Sequence, residues 1–368
     1  MTPSNRVIFV SVTLLVMGLL LASPFMSWTT TAAGSFQKGD VFLNINTQTN
    51  PNCVGSTACS TILWLRPVGN TCPVSCLVMP LAVSGISGEG DGMAFDKSGN
   101  LYATEGFAAN TIVKFDNTGT FLGTFGGTRS GHPESLVFDS SGNLYVGLPD
   151  SSPTRIDKLD SSGTTIASFT VNKQYRGSDW LDLGSDQCTM YYTSEGNQIL
   201  KYNACTSTQL TPITIASSSI GTCYAHRLIP SGTYAGDDLV ACSNQVVLID
   251  SSGNVLKTYL TGSSLLFALN LDPDGTSFWT AEYYSGDVYK VDISSGTTLL
   301  HFNINQWGYS TSYATPGGVA VFGEITSSNP PSGVPEFGPG LSGMLVAAVA
   351  FVGLSLMLKR REPLKTLP

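Results

Sequence analysis

The chain has 368 residues, 42% of them hydrophobic, and it carries 18 basic against 26 acidic side chains, a formal net charge of −8. The excess lies in residues 34–335, which hold 13 basic and 24 acidic residues without a basic cluster. Such a surface argues against nucleic acid and anionic lipid as partners. Only 12% of residues are charged, while Ser, Thr, Gly and Asn abound, as is typical of an exported all-β domain with many turns.

The N-terminal segment, residues 1–33, reads as a secretory signal peptide. Arg6 supplies a weak positive charge, and residues 7–22 form an apolar run of 16 residues. Small residues at Thr31, Ala32 and Ala33 suit cleavage near that point. An uncleaved membrane anchor is the alternative, although a helical span needs about 20 apolar residues.

Between the hydrophobic ends, a strand-turn-strand unit recurs about every 44 residues. Six apolar runs, each followed by a turn rich in Gly, Asp or Ser, end at Phe95, Phe138, Leu183, Ile229, Leu271 and Val321. A second series, of polar residues that follow short strand-like runs, recurs with a similar period at Arg66, Asp116, Asp160, Asn203, Asp250 and Asp292. Short strands at this period predict an all-β, six-bladed β-propeller over residues 34–324, with one four-stranded blade per repeat.

The order of the predicted strands implies that one blade is shared between the two ends of the domain. Its inner strand is residues 317–322, and its other strands are residues 40–46, 61–66 and 77–83. Pairing both ends within one blade closes the ring and removes free sheet edges. An open β-sandwich is the alternative arrangement.

Two consecutive units share a more detailed pattern. An apolar strand leads into an Asp-x-x-Gly-Asn turn, which begins at Asp96 in one unit and at Asp139 in the next. An apolar-Tyr-apolar strand follows, and each unit then reaches a Lys-apolar-Asp run ending at Asp116 or Asp160. The pattern resembles NHL repeats over about residues 88–170 and again near residues 265–300. Cys pairs replace the consensus turns in the third and fourth units.

Cysteines test the register of two blades. Cys188 and Cys205 flank one predicted hairpin, and Cys223 and Cys242 flank the next with the same symmetry. Opposed strand positions lie close enough for a disulfide. We therefore predict one bridge in each hairpin, as expected in an oxidising compartment.

Four further cysteines lie near the start of the domain. Cys53 and Cys59 fall in one proposed loop, and Cys72 and Cys76 in another. Local pairs are the simplest connectivity, but three pairings are possible and the sequence leaves them open. A zinc site is the competing interpretation, although the spacing is irregular and no histidine is near in sequence.

Polar residues recur at the mouth of the predicted propeller. Asp91, Glu134 and Asp179 each lie four residues before an inner-strand anchor in the first three blades. His226 lies one position further on in the fourth blade. Carboxylates held close together raise one another's pKa or recruit a cation. We predict a Ca²⁺ or Mg²⁺ site here, or an acid/base cluster; alternatively, each carboxylate caps loop amides of its own blade.

A second acidic set, Glu105, Glu195 and Glu282, recurs at the end of the second strand in alternate blades. Such repetition indicates a repeated structural hydrogen bond or a second functional group. The run 101–105 is similar to repeats of the virginiamycin B lyase family, which implies a propeller with a metal-dependent His/Glu site. Only His132 and His226 could lie near the mouth, fewer than the three histidines of NHL-type peptidylglycine lyases.

Aromatic residues are numerous in loops of the same face: Tyr175, Trp180, Tyr224, Tyr283, Tyr284, Trp307, Tyr309 and Tyr313. Tyr and Trp on loops stack on sugars or anchor peptides, and they also pack between blades. The chain contains no Gly-x-Ser-x-Gly elbow, P-loop or dinucleotide fingerprint.

The C-terminal part begins with a Ser/Pro linker at residues 325–335 and continues with a sorting segment at residues 336–368. Residues 341–358 are apolar or small and uncharged, and Lys359, Arg360 and Arg361 follow at once. This order predicts a transmembrane helix whose C-terminal end lies inside the cell.

A short motif of Pro335, Glu336, Phe337 and Gly338 precedes that span. Motif, span and basic cluster together resemble the PEF/PEFG-CTERM type of sorting signal, which is associated with archaeal cell-surface proteins. The resemblance implies an archaeosortase-type enzyme that cuts near the motif. A plain single-pass anchor is the alternative.

These features predict a binding or adhesion module displayed at the cell surface, with no certain cofactor. Its partner would be an extracellular protein, peptide or glycan. The rival interpretation is a metal-dependent lyase or lactonase-like enzyme that acts at the acidic channel mouth.

Overall fold

The computed structural model describes residues 34–47, 59–84, 90–106, 109–309 and 314–327. The predicted signal peptide, sorting motif and C-terminal span lie outside these ranges, as do Cys53 and Tyr313. Among the residues it does describe, no helix is long and apolar enough to cross a membrane.

Within those ranges, 24 strands form six antiparallel four-stranded sheets, which are the blades of a β-propeller. In chain order the strands are β1 Val41–Thr47, β2 Cys59–Leu65, β3 Leu77–Ser84, β4 Met93–Phe95, β5 Leu101–Glu105, β6 Thr111–Phe115, β7 Phe121–Phe125, β8 Ser135–Phe138, β9 Leu144–Leu148, β10 Arg155–Leu159, β11 Thr165–Thr170, β12 Leu181–Leu183, β13 Thr189–Tyr192, β14 Gln198–Asn203, β15 Thr208–Thr214, β16 Cys223–Leu228, β17 Asp238–Cys242, β18 Gln245–Ile249, β19 Val255–Tyr259, β20 Leu266–Leu271, β21 Ser277–Glu282, β22 Asp287–Asp292, β23 Thr298–Asn303 and β24 Ala314–Val321. The same residues contain two 3₁₀ turns, Val74–Cys76 and Ile304–Trp307.

From the innermost strand outward, blades one to five are β4–β7, β8–β11, β12–β15, β16–β19 and β20–β23. Blade six is β24 followed by β1, β2 and β3. The innermost strands contact one another in sequence around a central axis, and β24 contacts both β20 and β4. The predicted six-bladed ring is therefore confirmed.

Burial along the strands follows from this arrangement. Second strands such as β5 and β9 are buried at every position, because each sheet packs against a neighbouring blade on both faces. Outermost strands such as β7 and β11 are mostly exposed. The cores therefore lie between blades.

Closure occurs within blade six, as the strand order predicts. Strand β24 pairs antiparallel with β1, and Val321 faces Val41. Phe36, just before β1, makes edge-to-face contacts with Trp64 and Phe95, whose ring centroids lie 4.8 and 6.0 Å away. The start of the domain is thus held between blades six and one.

A repeated unit of Asp, aromatic ring and Lys stabilises the inner hairpins. In blade two, Asp139 accepts hydrogen bonds from the backbone N–H groups of Ser141 and Asn143 at 2.9 and 2.8 Å. Lys158 lies 2.9 Å from Asp139 and 4.8 Å from the Tyr145 ring centroid. The same arrangement recurs in blade five with Asp272, Trp279 and Lys290. The Asp-x-x-Gly-Asn pattern therefore marks a structural element of the blade.

The described disulfides are Cys72–Cys76, Cys188–Cys205 and Cys223–Cys242. The two bridges predicted from hairpin symmetry are confirmed, and the Cys223 and Cys242 positions face each other directly in the β16–β17 register. The Cys72–Cys76 bridge is one of the local pairs.

The propeller has two ends, which we name by the direction of the inner strands. The upper face is the end where those strands begin, next to Asp91 and Glu134. The lower face is the end where they finish, next to Phe95 and Phe322. Gly39 donates a backbone hydrogen bond of 2.9 Å to Phe322, so the chain both starts and leaves the propeller at the lower face.

Candidate functional site

Three predicted carboxylates do meet at the upper face. Asp91, Glu134 and Asp179 lie just before β4, β8 and β12, and their exposed fractions are 3%, 1% and 3%. Glu134 shares a side-chain hydrogen bond with Asp179. Burial raises the pKa of Glu134 well above its usual value, and the charges of Asp179 and Asp91 raise it further. Burial likewise raises the pKa of Asp179 to about 6. The Glu134–Asp179 pair therefore tends to retain a proton.

Arg176, in the loop that leads into β12, lies among these carboxylates. Both of its terminal nitrogens contact Glu134, one at 2.9 Å. The same guanidinium lies 2.6 Å from Asp150, 3.4 Å from Glu195 and 3.7 Å from Asp179. Burial disfavours the charge on Arg176, but its hydrogen bond with Asp150 and the charge of Glu134 outweigh that effect and raise its pKa. We call Glu134, Asp150, Arg176, Asp179 and Glu195 the Arg176 cluster.

The sequence predicts a Ca²⁺ or Mg²⁺ ion among these carboxylates, and the structure places the guanidinium group of Arg176 there. In the described part of the chain, no group of three or more His, Cys, Asp or Glu residues could hold a metal ion. The alternative prediction was that each carboxylate accepts hydrogen bonds from loop amides of its own blade. Glu134 does not follow it, because its partners Arg176 and Asp179 lie at the start of blade three. Arg176 occupies no repeat position, so the periodicity did not single it out.

The prediction that His226 joins the carboxylates is wrong. His226 is fully buried in β16, and its Nδ1 lies 3.0 Å from Asp238 at the start of β17. Burial would lower its pKa, but the charge and hydrogen bond of Asp238 raise it overall. One step along a strand turns a side chain to the other face of the sheet, so His226 lies away from the rim position held by Ala225. His132 does reach the Arg176 cluster, since its Nδ1 lies 2.8 Å from Asp150.

The second acidic set divides into different roles. Glu282 accepts a hydrogen bond of 2.6 Å from the backbone N–H of Ser264 and one of 2.9 Å from the Ser285 hydroxyl, so it holds a loop in place. Glu195 joins the Arg176 cluster, and Glu105 is fully buried. Their shared position in the repeat therefore does not define one site.

A row of aromatic rings runs across blades four and five of the upper face. Successive centroid distances are 5.1 Å from Tyr224 to Phe267, 5.3 Å to Tyr283 and 5.5 Å to Tyr284. Tyr284 is 62% exposed, so the row opens to solvent at that end. Burial raises the pKa of Tyr224, and the charge of Glu195 raises it further. The row thus begins beside the Arg176 cluster; we call these four rings the aromatic row.

Other aromatic residues predicted for this face have structural roles. Trp180 and Tyr309 are 3% and 1% exposed and pack in the core. Trp307 donates its indole N–H to the carbonyl of Val74 at 2.9 Å. Tyr175 is 79% exposed and precedes Arg176 in the same loop.

A separate cavity of about 270 Å³ opens around the axis at the lower face. Apolar residues of blades one, two and six form much of its wall. Its polar groups include Asp182 from β12, Arg227 from β16 and Glu324, which follows β24. We call this space the lower cavity. The sequence periodicity did not single out this cavity, because Asp182, Arg227 and Glu324 occupy non-equivalent positions around it.

Comparisons with known proteins give the fold alone. No family model matches the chain, and no curated protein matches its sequence. Among solved structures, the chain is similar to a protein of unknown function from Bacteroides caccae, with 12% identity and a TM-score of 0.55. The match covers 77% of this chain and 98% of the other. The class that fold and comparison define is a six-bladed β-propeller, a fold that hosts unrelated functions.

Proposed function

We propose that the protein is an exported, surface-displayed module that binds basic segments of an extracellular protein or peptide at its upper face. The observation that carries this proposal is the aromatic row beside the Arg176 cluster. A basic side chain pairs with carboxylates such as Glu195 and packs on aromatic faces such as those of Tyr284. The acidic excess of residues 34–335, 24 against 13, would steer a cationic partner toward this surface.

Surface display is supported by the disulfides, which are typical of extracellular proteins. The NHL-like repeats, signal peptide, PEF-CTERM-like tail and archaeosortase-type processing belong to this proposal. Because the described chain starts and ends at the lower face, a tether after Ser327 would turn the upper face away from the membrane.

The test uses the purified protein and two flexible peptides of equal length, one carrying four lysines and the other four glutamates. We expect the lysine peptide alone to bind, with an affinity that falls as salt screens the charges. Tyr284→Ser and Glu195→Gln should each weaken binding about threefold. Leu256→Ser, at an exposed position of the outer strand β19, is the control that should bind like the parent.

Two results would change the proposal. Equal binding of both peptides, or full binding by both upper-face variants, would contradict recognition of basic segments there. Salt-independent binding of neutral oligosaccharides that requires Tyr284 but not Glu195 would favour a glycan as the partner.

A further inference from the structure

The lower cavity lies at the opposite end of the axis from the proposed partner surface. Its volume is about 270 Å³, near the lower end of the range of small-molecule pockets, which begins at roughly 300 Å³. Met93, Leu136 and Ala320 contribute apolar walls from blades one, two and six. Arg227 and Glu324 contribute charged groups. Small-molecule sites share this character, a mainly apolar hollow with a few placed polar groups.

Arg227 has hydrogen-bonding capacity left over. The residue is 5% exposed; its Nε donates to Glu324 at 3.2 Å and its Nη1 to the carbonyl of Leu181 at 3.0 Å. Its Nη1 also donates to the carbonyl of His226 at 3.3 Å, whereas its Nη2 donates to none of the residues that the structure describes. An arginine carries five N–H donors, so the two on Nη2 are available to a ligand. Arg227 therefore offers donors in the cavity that it lines.

The side chains next to Arg227 do not accept hydrogen bonds from its Nη2. Asp182 accepts backbone hydrogen bonds from Leu183 at 2.8 Å and from Leu228 at 2.9 Å, and it accepts none from Arg227. The guanidinium carbon of Arg227 lies 5.6 Å from the centroid of Trp180. The indole N–H of Trp180 is buried and has no acceptor among the described residues. Trp180 does not line the lower cavity, so of these two side chains only Arg227 offers donors to a ligand there.

We propose that the lower cavity binds a small organic carboxylate, with its carboxylate group on Arg227 and its apolar body against Met93, Leu136 and Ala320. Charge-assisted hydrogen bonds between guanidinium and carboxylate are among the strongest in proteins, and their planar geometry is matched. This site is independent of the upper face and of the partner proposed there.

Glu324 makes this binding sensitive to pH. Burial raises its pKa to about 7, so it is partly protonated near neutral pH and then repels a ligand carboxylate less. The charged groups that face it are Arg227 from β16 and Asp182 from β12, and the cavity lining also includes Asp96, Lys97 and Asp139. Carboxylate affinity should therefore fall as pH rises through about 7.

The test is calorimetry and thermal melting of the whole protein with benzoate, a small carboxylate with an apolar ring, and with benzamide, its uncharged counterpart, at fixed ionic strength. We expect benzoate to bind at one site and to raise the melting temperature, because it stabilises only the folded state. Benzamide should bind at least about tenfold more weakly, and Arg227→Gln should weaken benzoate binding by a similar factor.

Arg227 also contacts Glu324 and Leu181, so a second variant separates binding from folding. Ala94 lines the cavity from blade one, and Ala94→Leu should fill the space and abolish benzoate binding while the melting curve remains cooperative. Leu256→Ser is again the control. Failure of benzoate, acetate and phenylacetate to shift the melting curve would overturn the proposal, as would undiminished benzoate binding by both cavity variants.

Discussion

At the scale of single residues, one arginine takes the place of the ion that a set of carboxylates requires. Arg176 lies within 3.7 Å of carboxylates from Glu134, Asp150, Asp179 and Glu195. Like charges at this density destabilise a fold unless a cation or a proton compensates them. The Arg176 cluster uses both, since the guanidinium contacts all four groups and burial favours a proton on the Glu134–Asp179 pair.

Replacing Arg176 with Met removes the charge and keeps most of the aliphatic length. We expect the free energy of unfolding to fall by about 3 kcal/mol, because Glu134 and Asp179 lose their buried counterion. Urea denaturation at neutral pH measures this change. Lys173→Met, at an exposed position in the same loop, is the matched control, and equal stability of the two variants would contradict the role given to Arg176.

The same pair predicts a pH dependence of stability. The pKa of Asp179 is raised to about 6, and that of Glu134 is raised as well, so the folded protein holds protons that the unfolded chain releases above about pH 4. The stabilisation of the folded state by these protons is complete below about pH 4 and is lost as pH rises through about 6. Urea midpoints should therefore drop between these values. Glu134→Gln should flatten that part of the profile, whereas an unchanged slope would show that the proton lies elsewhere.

At the level of strands and turns, hydrogen bonds or a disulfide fix the inner hairpin of a blade, and the choice differs from blade to blade. Blades one and two use Asp-x-x-Gly-Asn turns, in which Asp96 or Asp139 accepts backbone hydrogen bonds. In blade four, the Cys223–Cys242 bridge joins the strands directly. In blade three, Asp186 accepts backbone hydrogen bonds within the turn between β12 and β13, and Cys188–Cys205 links that turn to the one between β14 and β15. A covalent link is thus added to the hydrogen-bonded turn in blade three and joins the inner strands directly in blade four.

Removing these bridges should have unequal effects. The Cys223–Cys242 bridge closes a separation of 19 residues, whereas Cys72–Cys76 closes only four. Loop-closure entropy predicts losses of about 3 and about 2 kcal/mol for the respective double Ala variants. Burial of Cys223 and Cys242 adds to the first loss, because smaller side chains leave a cavity. Chemical denaturation compares the two, and the reverse order would contradict this account.

At the scale of the whole molecule, closure makes the stability of the ring depend on its last strand. Strand β24 is the inner strand of blade six and contacts the inner strands of blades five and one. Without it, β1 would keep β2 but lose its pairing on the other edge, and two blades would lose a packing surface. Because Gly39, just before β1, pairs with Phe322, just after β24, the described chain enters and leaves the ring at the lower face.

Truncation tests this dependence. A chain that ends at residue 313 lacks β24, and we expect it to lose cooperative thermal unfolding and to aggregate through exposed strand edges. A chain that ends after Ser327 keeps the closure and should melt like the full-length protein. Circular dichroism melting compares the three proteins. If the shorter truncation melted at the full-length temperature, blade six would not be required for the fold.

Features that depend on short-range spacing could be predicted from the amino-acid sequence. The period of apolar runs predicted six blades, the strand order predicted closure through β24 and β1, and hairpin symmetry predicted Cys188–Cys205 and Cys223–Cys242. Strand pairing and turns within a blade are local, so their signals survive in one dimension.

Contacts between side chains of different blades could not be predicted in the same way. Periodicity brought Asp91, Glu134 and Asp179 to one rim, but it missed Arg176, which comes from a loop outside the repeat, and it misplaced His226. The lower cavity joins Arg227 from blade four and Glu324 from the segment that follows β24. Such meetings depend on the direction of each side chain and on how the blades pack around the axis, and both are set by contacts between residues far apart in the chain.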